Sequence, residues 1–222
     1  KCDGTSLLPS MTDSAADQRA AQLADEYFNQ WYIKPVFDGA YPDSFALLAD
    51  EDKPVIEPGD FDIIKAPLDF LGVNFYTRTV YRATEGRDFI EVDMADAPKT
   101  DIGWEIYPQG LTEILLAIHK RYKLPPVYIT ENGAAIPDTM HLGQVQDTQR
   151  VKYFEQHLQA TEDAITAGMR IDGYFAWSLM DNFEWAEGYA KRFGIVYVDY
   201  ASQQRIVKAS GRALQQLWQS RK

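Results

Sequence analysis

Glu131 stands directly after the apolar run Val127-Tyr-Ile-Thr130 and is followed by Asn132-Gly133. A carboxylate in that position is costly to bury unless it is hydrogen-bonded or put to use. Held at a site, it is the raw material of nucleophilic or acid–base chemistry. The bland alternative is a solvated strand-end Glu that caps the next element, with Asn132-Gly133 as a tight turn. A second concentration lies at Trp177-Ser-Leu-Met-Asp-Asn-Phe-Glu-Trp185, where carboxylates, an amide and indoles alternate. A core aromatic cluster beside a solvated acidic loop accounts for such composition. The same mixture fits a polyhydroxylated ring, with carboxylates and amides forking onto vicinal hydroxyls and indoles stacking on its C–H face. Asn74 and Tyr76 end a third apolar run, Leu71–Tyr76.

These groups can act together only if the elements carrying them converge. Ser14-Ala-Ala-Asp17 resembles a capping box, and Ala16, Ala20, Leu23, Tyr27 and Trp31 follow at helical spacing. Pro35 is expected to end that helix, and residues 35–69, rich in proline, read as a surface connection. Residues 71–76 read as a buried strand, and 82–103 as an excursion with β character. Leu111, Ile114, Leu115, Ile118 and Tyr122 mark an amphipathic helix closed by Pro125-Pro126. A strand at 127–130 and a loop at 134–146 follow. Asp147 then caps a helix with Val151, Phe154, Leu158 and Ile165 on one face, ended by Gly168. A strand at 173–178, another at 195–199 and a helix near 209–219 complete the chain, while residues 1–13 show no periodicity. Alternating strands and helices predict an α/β protein with a parallel sheet, built from about three clear strand–helix units. In such sheets the C-terminal strand ends face the ligand, so Asn74, Tyr76, Glu131, Asn132, Asp181, Asn182 and Glu184 are expected on one concave patch.

Composition narrows the partners. The net charge is −11, and no Lys/Arg run exceeds pairs such as Lys120-Arg121, which disfavours nucleic acid and an anionic membrane surface. No apolar stretch approaches the ~20 residues of a membrane-spanning helix. The single cysteine, Cys2, leans toward a reducing, cytoplasmic setting. The three histidines, His119, His141 and His157, lack metal-ligand spacing, and His119 falls on the polar side of its helix.

Tyr128-Ile-Thr-Glu-Asn-Gly133 resembles the nucleophile signature of glycoside hydrolase family 1. Gly72-Val-Asn-Phe-Tyr-Thr77, Gly103-Trp-Glu-Ile-Tyr-Pro108, Gly173–Trp185 and Arg192-Phe-Gly-Ile-Val-Tyr-Val-Asp-Tyr200 resemble the same family in order and spacing, from about residue 14 onward. The resemblance implies a TIM (β/α)₈ barrel of which residues 1–222 form the C-terminal half, with strands six to eight present and the fifth missing or degraded near residues 4–10. By the same resemblance Glu131 is the nucleophile of a retaining β-glucosidase, and Tyr76 orients it. Asn74 lines the pocket, Glu184 and Trp185 bind sugar hydroxyls, Trp177 is the stacking floor, Phe193 lies near the wall, and Trp104 flanks the leaving group.

One departure stands against these matches: the Thr-x-Asn-Glu-Pro-type motif that carries the family's acid/base is absent from this sequence. Retaining hydrolysis needs two carboxylates about 5–5.5 Å apart, and no cofactor or metal. The expectations are therefore a β-glucoside or short β-linked oligosaccharide as substrate, and association with the missing N-terminal half or with another copy. The alternative is an inactive half-barrel that only binds sugar or a partner. A carboxylate at Glu184 would repel a phosphate dianion, which favours unphosphorylated sugars.

Overall fold

The computed structural model describes residues 2–6 and 11–220. It runs β1 (Cys2–Ser6), α1 (Ala15–Asp25), a π-helical turn (Glu26–Gln30), α2 (Trp31–Asp38), α3 (Asp60–Ile64), β2 (Leu71–Arg78), β3 (Val80–Thr84), β4 (Arg87–Val92) and α4 (Gln109–Arg121). It continues with β5 (Val127–Asn132), β6 (Met140–His141), β7 (Gln144–Val145), α5 (Thr148–Thr166), β8 (Ile171–Ala176), β9 (Val196–Val198), β10 (Arg205–Val207) and α6 (Ala209–Ser220). Strands β1, β2, β5 and β8 lie side by side in that order, all parallel, each joined to the next through helix. The 82–103 excursion contains part of the β3–β4 hairpin, and the 134–146 loop holds the small β6–β7 hairpin.

The first strand corrects the sequence reading. Cys2-Asp3-Gly4-Thr5-Ser6 has no apolar alternation, yet it pairs with β2, Cys2 opposite Val73 and Gly4 opposite Phe75. Backbone pairing makes this strand where the side-chain pattern does not. The rest of the stretch read as a degraded fifth strand, residues 7–10, lies outside the described residues.

Ser14 caps α1 as expected, accepting the Asp17 N–H at 3.1 Å. Pro35 does not end the helix. Its fixed φ suits a helix and it forgoes one hydrogen bond; the stop comes at Gly39, which takes the left-handed φ of 70° and donates its N–H to the Pro35 carbonyl. One face of the sheet, with Val73, Phe75, Val127 and Ile129, packs on Leu111, Ile114, Leu115 and Ile118 of α4 and on Ala160 and Ala164 of α5. Each Val, Leu, Ile or Phe side chain among them, fully buried, stabilises the fold by roughly 1.5–3 kcal/mol.

Helix α5 is turned relative to the predicted stripe. Tyr153, Phe154, His157, Ala160 and Ala164 face inward, while Ile165 is exposed. Hydropathy places Arg150 and His157 outside; both are buried because the interior supplies partners for them. His157 stacks on Tyr153 with ring centroids 3.8 Å apart, and its Nδ1 lies 2.8 Å from the Tyr153 carbonyl, a geometry for the neutral ring donating from Nδ1. Burial pushes its pKa down to about 4, well below the ordinary imidazole value. The unfolded chain binds this proton below pH ~6.5 and the folded chain only near 4, so stability present above 6.5 is lost as pH falls between them, by roughly 3 kcal/mol. The thermal midpoint of the wild-type chain should therefore fall further from pH 6.5 to 4 than that of His157→Gln; equal falls would contradict this.

Candidate active site

Strand β5 carries one residue more than its neighbours can match. Val73 pairs Ile129 and Asn74 pairs Glu131, skipping Thr130. On the other side Ile129 pairs Tyr174 and Asn132 pairs Ala176, three steps against two. In a regular strand Glu131 would share the face of Val127 and Ile129 and point at the helices. The bulge re-aims it, as bulges beside sites do. It joins Gly72, Asn74 and Thr130, with Tyr32, Ile33, Val36 and Phe37 of α2 and Leu68, Phe70 and Leu71, in lining an open concavity of about 620 Å³.

The Tyr76 hydroxyl donates to Glu131 Oε2 at 2.7 Å. Burial, then this hydrogen bond and the charges of Glu131 and Glu184, push the Tyr76 phenol far above its ordinary value, so it remains a donor. Asn74 is buried and its Oδ1 accepts from Thr130 Oγ1 at 2.6 Å. Tyr76, Trp104 and Phe193 pack as a cluster, with centroids 5.5 Å apart for Tyr76–Trp104 and 6.2 Å for each ring to Phe193. Burial raises the pKa of Glu184, a hydrogen bond from the Trp177 side chain opposes this, and the charge of Glu131 adds to the rise. Glu131, Tyr76, Trp177 and Glu184 are thus close enough to influence one another electrostatically. Trp185 is 80% exposed, on a 3₁₀ turn with φ of 43°, left-handed and uncommon for a bulky residue.

Two readings are corrected. Asp181 does not join the polar patch. Its carboxylate faces inward, accepting from Lys208 Nζ at 2.7 Å, Arg192 Nη1 at 2.5 Å and the Gly194 N–H at 3.0 Å. Asp147 occupies the N-cap of α5, but its side chain pairs with Arg150 and accepts from Ser210 instead of capping. Arg150 also forks onto Asp138, both contacts 3.0 Å, and Asp138 pairs with Lys208. This chain of six charges holds the loops after β5 and β8 against α5 and α6. Sequence reasoning missed it; the Asp147-to-Arg150 spacing of one helical turn was the available signal.

Asn132-Gly133 is not a simple turn. Asn132 ends β5, its side chain is buried, and its carbonyl accepts the Trp177 N–H at 2.8 Å. A Cβ on Gly133 would lie 1.8 Å from the Trp177 carbonyl oxygen. Because that atom is backbone, relief requires moving the end of β8. Gly133→Ala should cost about 3 kcal/mol, the upper end for overpacking, read from the midpoint of chemical denaturation. A midpoint within error of wild type would sink this.

The sequence model of glycosyl hydrolase family 1 matches residues 2–222. The chain belongs to this family. Among family 1 proteins, the β-glucosidase of an Agrobacterium species is 45% identical over 90% of this chain and 45% of its own length. β-Glucosidase A of Thermotoga maritima is 42% identical over 90% of this chain and 46% of its own. The crystal structure of a β-glucosidase from Exiguobacterium marinum superposes with a TM-score of 0.91 at 40% identity, covering 98% of this chain and 50% of that one. The chain spans about half the length of the relatives it matches, and its four parallel strands form half of a family 1 TIM barrel. Among the described residues no helix is long and apolar enough to cross a membrane, and no cluster of His, Cys, Asp or Glu is placed to hold a metal.

Proposed function

We propose that this chain supplies the nucleophile half of a retaining β-glucosidase acting on terminal, unphosphorylated β-D-glucosyl residues. The observation that carries the reading is the bulge-directed Glu131 carboxylate held by the Tyr76 hydroxyl at 2.7 Å. The carboxylate attacks the anomeric carbon, the glycosidic C–O bond breaks, and water later releases the sugar from its ester to Glu131. Tyr76 fixes the orientation of the carboxylate through Oε2. Trp177 stacks beneath the sugar, Glu184 and Trp185 take its hydroxyls, Asn74 and Phe193 line the pocket, and Trp104 flanks the leaving group.

The leaving group needs a proton from a second carboxylate. Glu184 is engaged by the Trp177 side chain and suits hydroxyl binding, so we assign the proton donor to an N-terminal half. That half would pair with the open edges, β1 and β8, and cover Phe175, which lies 57% exposed on the inner face of the sheet. A reducing, cytoplasmic setting fits the single cysteine.

The test is to combine this chain with the N-terminal half of the Agrobacterium relative, expose the completed barrel to a 2-deoxy-2-fluoro-β-D-glucoside bearing a dinitrophenolate leaving group, and map the labelled peptide. Label on Glu131 is expected; label elsewhere, or none from a barrel that turns over substrate, would refute the assignment.

A further inference from the structure

We propose that Asn132, gripped by the Tyr174 hydroxyl, is a positioning residue that locks the extra residue of β5 and so fixes the aim of Glu131. The inference rests on Glu131 being the nucleophile. A bulge leaves a residue outside the ladder, so backbone pairing alone does not define the strand's path there. Immediately after that point the fully buried Asn132 side chain takes over. Its Nδ2 donates to the Phe75 carbonyl at 2.7 Å and to Tyr153 Oη at 3.1 Å, and its Oδ1 accepts from Tyr174 Oη. These partners come from β2, α5 and β8, so one amide ties three elements to β5.

Both ends of the Tyr76–Glu131 hydrogen bond are anchored to this amide. Phe75 precedes Tyr76, and Tyr153, itself bonded to Asn132, donates to the Tyr76 carbonyl at 3.3 Å. Glu131 precedes Asn132. A shift of the amide would therefore move donor and carboxylate relative to one another without touching either side chain. Tyr174 is half-buried, desolvation raises its phenol pKa, and it remains a donor to Asn132.

The experiment measures Tyr174→Phe, which keeps the ring and removes the donor, and Asn132→Ala, both in the completed barrel. Each is placed in two backgrounds: the intact enzyme, and Glu131→Gly assayed with azide and 2,4-dinitrophenyl β-D-glucoside. In the second background azide attacks the anomeric carbon, the C–O bond to dinitrophenolate breaks, and the phenolate leaves with the electron pair. No aimed carboxylate is then required. In the intact enzyme kcat should fall by on the order of 100-fold, with KM and the azide reaction changed less than about threefold. Equal losses in both backgrounds would overturn the proposal, since the amide would then serve the fold in general; so would an unchanged kcat in both variants. Full turnover by Glu131→Gly without azide would overturn the nucleophile assignment, and the inference with it.

Discussion

Replacing Glu131 by Gln in the completed barrel is expected to lower turnover of 4-nitrophenyl β-D-glucoside by on the order of 10⁴- to 10⁶-fold, the range seen when a hydrolase loses a member of its nucleophilic apparatus. The amide keeps the shape of the carboxylate and still accepts from Tyr76 Oη, so the packing of Tyr76, Trp104 and Phe193 should persist. What disappears is the negative charge to which the proposed function assigns the attack on the anomeric carbon. Steady-state kinetics with circular dichroism as a folding control checks this, and residual turnover within about tenfold of wild type would exclude the role, far outside the stated range.

The second large effect concerns the chain by itself. Residues 1–222, purified as a single species at the sequence mass of 25.3 kDa, are expected to show no enzyme-like turnover of aryl β-glucosides. General acid catalysis alone contributes typically ~10²–10⁴-fold, and the walls supplied by four further strands are missing as well. Adding the complementary half should restore turnover that Glu131→Gln then removes. Light scattering on the isolated chain reports the companion effect. Exposed Phe175 on the edge strand β8, and Leu68 and Phe70 at the entry to β2, should drive association as concentration rises. Robust turnover by the verified single chain would overturn the requirement for a second half.

Much of this was legible in the sequence because apolar periodicity reports burial directly. Leu111, Ile114, Leu115 and Ile118 face the core as their spacing predicts, and β2, β5 and β8 lie where their apolar runs fall. Chemical type at adjacent strand ends pointed only to a polar patch; the individual roles assigned to Glu131, Tyr76 and the aromatic residues came from the family resemblance. Three things escaped for physical reasons. β1 is specified by its neighbour's backbone, which leaves no trace in Cys2–Ser6. The bulge in β5 is a mismatch between strands, invisible in any one of them. Asp181 and Arg150 look like surface residues until their partners, Arg192 and Lys208 for Asp181 and Asp138 for Arg150, are brought to them by the fold.

That cluster has a consequence for how sequences like this one can drift. Arg150, Arg192 and Lys208 balance Asp138, Asp147 and Asp181, so the interior they occupy carries no net charge. Neutralising any of the five fully buried members, all but the partly exposed Arg192, leaves an uncompensated ion where water cannot reach it, a loss of about 3–5 kcal/mol. Two opposite members removed together restore the balance. The viable route between sequences at these positions therefore passes through paired replacement, and a lone substitution there would surface as poor folding yield in a protein whose catalytic groups are all intact.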